Sequence, residues 1–169
     1  MCKMKSFLCV RGETEPRWSD KHDSHSTLIQ ELGIEDKDHL KRDFVKIEFS
    51  PVNGNWFEPF DDWKFEIDEE GSVPAWFEED KQLWHDRCCE VIAKKVLPLI
   101  AKGTFPGDLV VGENLKAKHL KKVLGSLDVR TDFKAPVLAT VGGSLDVNAD
   151  KTFKCPELKK VNGMAYKAS

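Results

Sequence analysis

The stretch GSLDVRTDFKAPVLATVGGSLDV, residues 125–147, begins and ends with the same five residues, GSLDV. Segments that start at Gly107 and Gly143 follow the same template as the one at Gly125, and a truncated fourth starts at Gly163, so the spacing is 18, 18 and 20 residues. Repetition at such a period is typical of solenoids, in which each turn buries its apolar residues against neighbouring turns. The sequence therefore predicts a solenoid in the last third of the chain.

The spacing within one repeat predicts its local structure. In SLDV, leucine and valine alternate with polar residues, which indicates a short strand with both apolar side chains facing inward. The preceding glycine permits a tight corner, and Pro136 and Pro156 restrict a second corner. Successive strands would then stack in parallel over about three and a half turns. The aligned apolar columns are Leu109/Leu127/Leu145, Val111/Val129/Val147, Leu115/Phe133/Phe153, Ala117/Ala135/Cys155, Leu120/Leu138/Leu158 and Val123/Val141/Val161.

The pattern F-x-A-P-x-L-x-x-V-x-G-S-L-D-V resembles the leucine-rich, β-helix-like repeats of receptor L domains and of bacterial surface repeat proteins. The resemblance covers residues 107–163 and implies an architecture rather than a role, because such repeats host many functions. We expect the final GMAYKAS to cap the open end of the stack.

The first hundred residues predict a separate α+β domain. Apolar alternation indicates three strands, in KSFLCV (residues 5–10), DFVKIEFSP (43–51) and DWKFEIDE (62–69). STLIQELGI predicts a short amphipathic helix ended by Gly33, with Ile34 after the cap. A second helix of about 22 residues is predicted to begin near Pro74 and to end before Pro98. The fold class is therefore an α+β N-terminal domain (β-α-β-β-α) over residues 1–102, followed by a parallel β-solenoid over residues 103–169.

The N-terminal segments bring a second resemblance. In this order, SHSTLIQELGI, DFVKIEFSP, WKFEIDE and PAWFEED resemble uncharacterised accessory proteins of bacteriophages and prophages, which carry such a part before short repeats. The resemblance spans most of the chain and implies a phage setting, in which small proteins often act on host machinery. It implies no catalytic activity.

Composition limits the class of protein. Hydrophobic residues make up 40% of the chain and charged residues 33%, which is typical of a globular protein rather than a disordered one. The longest apolar run, VLPLIA, is far shorter than the ~20 residues of a membrane span, and no extended apolar segment near the N-terminus suggests a secretory signal. Five scattered cysteines without C-x-x-C spacing indicate neither a disulfide framework nor a zinc ribbon. We therefore expect a cytoplasmic protein.

The strongest local signal is acidic. Residues 58–80 contain ten acidic residues and one basic residue, Lys64, interspersed with aromatic residues. Such a patch favours a basic partner, and exposed aromatic side chains would anchor it. The simpler alternative is a solvated acidic face above aromatic residues that all belong to the core. The predicted partner-binding residues are Glu58, Asp61, Asp62, Glu66, Asp68, Glu69, Glu70, Trp56, Trp63 and Trp76.

We therefore predict a non-enzymatic interaction protein that binds a basic, nucleic-acid-handling or defence protein of a bacterial host, as an anti-CRISPR inhibitor would. Direct binding of nucleic acid is not predicted for the solenoid lysines, because seven acidic residues accompany the basic residues there and no aromatic platform does. We interpret these lysines as solvated residues that protect an open sheet edge. They are Lys116, Lys118, Lys121, Lys122, Lys134, Lys154, Lys159 and Lys160.

Two alternatives come from other classes. A phosphate-bearing ligand or substrate could bind where the first helix begins, at residues 22–26; the candidate contacts are Arg11, Arg17, His22, Asp23, His25 and Glu48. The simpler interpretation is helix capping by Asp23, Ser24 or Ser26, and a metal trio of His22, Asp23 and His25 is the weaker one. A structural or assembly role would use self-association through the solenoid.

One further pair could carry chemistry. His85 and Cys89 are four residues apart on the predicted long helix and so share a face, but the simpler interpretation is an exposed histidine and a packed cysteine. We assign no catalytic residue, metal ligand or cofactor.

Overall fold

The N-terminal part is built on a three-stranded antiparallel sheet. The computed structural model describes residues 4–33, 43–113 and 115–167. The sheet has the order β1-β2-β3. Its strands are β1 (Lys5–Val10), β2 (Phe44–Pro51) and β3 (Trp63–Ile67). These are the three strands that apolar alternation predicts.

Helix α1 (His25–Leu32) covers one face of this sheet. Its Leu28 packs with Leu8 and Phe44. The Ser24 hydroxyl caps its start by accepting the backbone N–H of Thr27. The helix ends at Gly33, which has a left-handed φ of 62°, as the sequence predicts; Ile34 lies outside the described residues.

A long, interrupted helix covers the other face. Its parts are α2 (Ala75–Glu79), α3 (Lys81–Val91), a π-helical segment (Ile92–Val96) and α4 (Leu97–Ala101). The prediction that this helix ends before Pro98 is wrong. The π-helical turn, in which Leu97 donates its backbone N–H to Ile92, places Pro98 in the first turn of α4, where a missing N–H is tolerated. In the described part of the chain, every helix is too short or too polar to cross a bilayer.

The repeats form a β-solenoid of about three turns. Its strands are β4 (Thr104–Phe105), β5 (Leu109–Val111), β6 (Leu115–Lys116), β7 (Lys122–Val123), β8 (Leu127–Val129), β9 (Phe133–Lys134), β10 (Thr140–Val141), β11 (Leu145–Val147), β12 (Phe153–Lys154), β13 (Lys160–Val161) and β14 (Ala165–Lys167). They stack into three parallel sheets, in the orders β4-β7-β10-β13, β5-β8-β11-β14 and β6-β9-β12. The predicted fold class, an α+β region followed by a parallel β-solenoid, is confirmed.

Strand register follows the aligned columns of the sequence. Leu127 pairs with Leu109 on one side and with Leu145 on the other, and all three are buried. Phe133 is fully buried and stacks on Phe153 with ring centroids 6.1 Å apart. Of the predicted terminal cap, residues 165–167 form β14 alongside β11, whereas residues 168–169 lie outside the described part of the chain.

The two parts share one core. The same cluster of buried residues runs from Phe7 and Trp84 in the N-terminal part to Val147 in the last full turn of the solenoid. Phe105, in the first solenoid strand β4, lies between them against Trp56 and Phe57.

A ladder of hydrogen bonds also crosses the junction. Before each SLDV-type strand, a side chain accepts the backbone N–H of the equivalent residue one turn later: Asp108 accepts from Ser126 at 2.8 Å, and Ser126 accepts from Ser144 at 3.0 Å. Asp23 extends this ladder by one rung, because its carboxylate accepts the N–H of Asp108 at 2.9 Å. The N-terminal part therefore takes the place of a preceding turn.

Candidate functional site

A cleft of about 870 Å³ lies at the junction of the two parts. Three elements line it: the loop between β2 and β3, the last turns of the long helix, and the corner of the first solenoid turn. Its lining residues are Trp56, Phe57, Glu58, Pro59, Phe60, Asp61, Trp63, Cys89, Ala93, Leu97, Ile100, Ala101, Ala117, Lys118, His119 and Leu120. Most of the lining is apolar, as is usual for binding sites.

The loop between β2 and β3 is held by its own asparagines. Asn53 accepts the backbone N–H of Asn55 at 2.9 Å and donates to the carbonyl of Pro59 at 3.2 Å. Asn55 in turn accepts the N–H of Phe57 at 2.9 Å. Such side-chain turns fix a loop without regular secondary structure, so the cleft has a preformed wall.

Aromatic rings make up that wall. Trp63 contacts Trp56 and Phe60 at centroid separations of 5.4 and 4.7 Å. Phe57 packs on Phe105 at 5.9 Å, which attaches the loop to the solenoid. Trp56 is 4% exposed, whereas Phe57, Phe60 and Trp63 are half-buried. The half-buried rings therefore offer apolar surface to a ligand.

Charge is distributed unevenly around the cleft. Glu58 and Asp61 are exposed on the loop side, and Asp62 follows them. The exposed Lys118 and His119 lie on the solenoid side. The cleft thus has an acidic rim along the aromatic loop and a basic residue opposite to it.

Cys89 lies in the wall of the cleft, and its Sγ is 3.8 Å from Nδ1 of His85. Burial raises the pKa of the Cys89 thiol, and the negative charges of Asp86 and Asp62 raise it further. A raised thiol pKa lowers the thiolate fraction, which is the nucleophilic form. The pair that the helical spacing predicts does form, but its environment disfavours nucleophilic chemistry.

Cys88, the neighbour of Cys89 on the same helix, points into the core. Cys88 is fully buried, and burial together with a hydrogen bond to Cys9 raises the pKa of its thiol. Adjacent residues on a helix diverge by about 100°, which is why Cys88 and Cys89 have such different surroundings.

The predicted partner-binding residues lie in different places. Trp56, Glu58, Asp61 and Trp63 line the cleft, with Asp62 next to them in the chain. Alternation along β3 turns Glu66 and Asp68 to the opposite, α1-covered face of the sheet.

The remaining three predicted residues are also outside the cleft lining. Glu69 accepts the backbone N–H of Lys46 at 3.1 Å, and Glu70 is exposed beyond it. Trp76 packs against Trp84 and Phe77, with centroids 6.4 and 6.0 Å away.

The residues proposed for a phosphate ligand are also dispersed. Arg11 faces Asp43 at 4.0 Å, Arg17 forms an ion pair with Glu13, and His22 lies 3.2 Å from Glu31. Asp23 is buried against Lys5, with 2.7 Å between Oδ1 and Nζ. Burial raises the pKa of Asp23, while Lys5 and the N–H groups of Ser6 and Asp108 act in the opposite direction. The trio His22, Asp23 and His25 therefore does not converge on one point.

His25 instead meets two carboxylates from the sheet. Its Nδ1 is 3.0 Å from Oδ2 of Asp68, and Glu48 lies beside them. Burial raises the pKa of Glu48, as do the charges of Asp68 and Glu66, while His25 acts the other way. Negative charge at this helix start is unfavourable for a phosphate and favourable for a cation.

Several residues of the cleft are not among the predicted site residues. A sequence signal exists for some of them: Phe57 and Phe60 are aromatic residues in or next to the acidic segment, and the Asn53–Asn55 spacing indicates an ordered loop. Ala117 and Leu120 carry no such signal, because they resemble every other apolar residue of the repeats. Their place in the cleft depends on how the first solenoid turn docks.

Comparisons of the chain with protein-family models, with curated proteins and with solved structures gave no significant match.

Proposed function

We propose that this is a non-enzymatic interaction protein, and that its cleft binds a segment of a partner protein in which an apolar side chain is flanked by basic residues. One observation carries the proposal: a preformed cleft, lined by half-buried aromatic rings, has exposed acidic residues along its rim. An apolar anchor would fill the cleft, and lysine or arginine would pair with the rim.

The charge of the chain supports a basic partner. The rim residues Glu58, Asp61 and Asp62 belong to the segment 58–80, which has ten acidic residues and a single basic one. Such a field accelerates the encounter with a basic partner and disfavours an acidic one. Desolvated aromatic contacts then supply the affinity that exposed charges alone do not.

The resemblance to phage accessory proteins suggests the setting. In that setting the partner is a basic protein of a bacterial host, such as a nucleic-acid-handling defence complex, and the protein is its inhibitor or adaptor. A basic groove that normally holds nucleic acid has the charge that an acidic rim would complement.

A matched pair of variants tests the role of the rim. The rim variant combines Glu58→Gln, Asp61→Asn and Asp62→Asn. The control combines Glu78→Gln, Glu79→Gln and Asp80→Asn, three exposed residues outside the cleft whose loss changes the net charge equally. Peptides selected from a random displayed library on the wild-type protein are then titrated against all three proteins.

We expect the selected peptides to have basic residues around an apolar one. The rim variant should bind them at least ~10-fold more weakly than wild type, which is a loss of about 1.4 kcal/mol in binding free energy. The control variant should bind like wild type at 0.15 M salt. Peptides without basic residues, or equal losses for both variants, would show that the rim is not the recognition surface. A peptide that binds the cleft should then identify candidate host proteins by its sequence.

A further inference from the structure

A three-residue cluster lies on the face of the sheet opposite the cleft, beneath helix α1. His25 is the first residue of α1, Glu48 is in β2, and Asp68 follows β3 directly. One ligand atom from each of these residues lies within 4.8 Å of the other two. Three different elements therefore bring an imidazole nitrogen and two carboxylates to one point.

The orientation of His25 is fixed by a group outside the cluster. Its Nε2 lies 3.2 Å from the backbone carbonyl oxygen of Ile47, and the residue is only 9% exposed. A proton on Nε2 satisfies this carbonyl and leaves the lone pair of Nδ1 directed at the carboxylates. A histidine that donates its other N–H to a backbone carbonyl is the usual arrangement around a bound metal ion.

Within the described part of the chain, Glu48 is the carboxylate of this group that has no ion-pair partner. Glu48 pairs directly with Glu66 across β2 and β3, which places two like charges side by side. Lys64 lies 2.8 Å from Glu66, and Lys46 lies 3.9 Å from Asp68. Among the residues that the structure describes, none donates a hydrogen bond to the Glu48 carboxylate. A cation at this point would satisfy it.

A polar cleft of about 420 Å³ gives access to this point. Glu48, Lys64 and Glu66 line it together with Glu113 from the solenoid. Because Glu48 belongs both to this cleft and to the cluster, an ion and its bound water could enter from solvent. Entry paths of this kind are required of any metal site.

We infer that His25 Nδ1 and the carboxylates of Glu48 and Asp68 bind a divalent metal ion of the zinc type, with water in the remaining position. One imidazole and two carboxylates suit such an ion. Tetrahedral bonds of about 2.1 Å place ligand atoms ~3.4 Å apart. His25 Nδ1 and Asp68 Oδ2 are 3.0 Å apart, a hydrogen-bond distance, so the two atoms would separate by about 0.4 Å to bind the ion. Rotation of the partly exposed Glu48 and Asp68 side chains brings the third atom in.

The bound ion would link α1 to both β2 and β3. This is independent of the interaction cleft, since Glu48, Asp68 and His25 are all absent from its lining.

Glu48→Gln is the most informative variant, because it removes a charged ligand without breaking a hydrogen bond between residues that the structure describes. Glu66→Gln is its matched control on the same face of the sheet. His22→Gln is a second control, because the His22–Glu31 pair could bind zinc at the surface. The full chain is titrated calorimetrically with Zn²⁺ alone in a non-thiol reductant, and Co²⁺ absorption then shows whether thiolates contribute.

We expect one equivalent of Zn²⁺ to bind wild type, Glu66→Gln and His22→Gln alike. Glu48→Gln should weaken binding at least tenfold, a loss that even outer-shell partners cause, with an unchanged melting temperature in the metal-free state. Three outcomes would overturn the inference: no binding by wild type, equal affinity for Glu48→Gln, or thiolate-to-cobalt absorption that assigns the ion to cysteine.

Discussion

Asp23 and Asp108 exchange reciprocal hydrogen bonds across the junction of the two parts. The Asp23 carboxylate accepts the backbone N–H of Asp108 at 2.9 Å, and the Asp108 carboxylate accepts that of Asp23 at 3.1 Å. The two residues are 85 positions apart in the chain. Lys5 completes the junction by donating to the carbonyl of Pro106 at 2.9 Å while it pairs with Asp23.

Replacement of Asp23 by alanine should lower the free energy of unfolding by about 3–5 kcal/mol, because it leaves a buried lysine unpaired. It also removes the acceptor of two backbone N–H groups. Urea denaturation measures the change, and Asp20→Ala, at an exposed neighbour, is the control. The double variant Lys5→Met/Asp23→Ala should recover part of the loss; a double variant less stable than Asp23→Ala would contradict the pairing.

The solenoid core should be most sensitive in its middle turn. Phe133→Ala should cost about 3–5 kcal/mol, the usual loss for a fully buried phenylalanine. Phe153 occupies the same column one turn later but is only half-buried, so Phe153→Ala should cost clearly less. Chemical denaturation of the two variants gives a direct comparison, and equal losses would mean that the last turn is covered in solution.

The Ser24 cap should contribute measurably to stability. Its hydroxyl accepts the N–H of Thr27 at 3.2 Å, and loss of a serine cap typically costs ~1 kcal/mol. Ser24→Ala should therefore lower the melting temperature, whereas Ser26→Ala, two residues later and exposed, should change it little. The reverse order would assign the cap to Ser26.

Alkylation of Cys89 should report on the state of the cleft. Negative charge at Asp62 raises the pKa of this thiol, so Asp62→Asn should lower that pKa and speed alkylation at neutral pH, when more thiolate is present. Site-resolved mass spectrometry would follow the rate. Cys155, whose pKa burial raises to about 11, should react slowly in both proteins and serves as the internal control.

A ligand in the cleft should slow this reaction at Cys89 and leave Cys155 unchanged. Equal rates at Cys89 with and without a bound peptide would place the peptide elsewhere. Faster labelling of both thiols in Asp62→Asn would instead indicate a general loss of structure.

The solenoid could be predicted from the sequence because its interactions repeat. The positions of Leu109, Leu127 and Leu145 relative to the glycine before each strand determine which residues stack, and parallel register follows. The third turn is two residues longer, and a bend in which Lys151 donates its N–H to Asn148 accommodates them. Local spacing therefore contains most of the information needed for this part.

The sites could be predicted only in part, because they depend on docking. Because side chains alternate along β3, the sequence already places Trp63 on one face of the strand and Lys64 and Glu66 on the other. No local pattern, however, indicates that His25 meets Asp68, 43 residues later, or that Asp23 meets Asp108. Such contacts follow from how α1 and the first solenoid turn pack on the sheet.

The rung supplied by Asp23 makes the two ends of the stack unequal. At the N-terminal end, the next position is occupied by a different fold, so a turn inserted there would separate Asp23 from Asp108 and open the cleft. At the other end, β14 already continues the sheet, and the three-sheet cross-section offers the same template for a further 18 residues. We therefore expect a repeat added next to β14 to leave the cleft unchanged, and a repeat inserted before β5 to disrupt it.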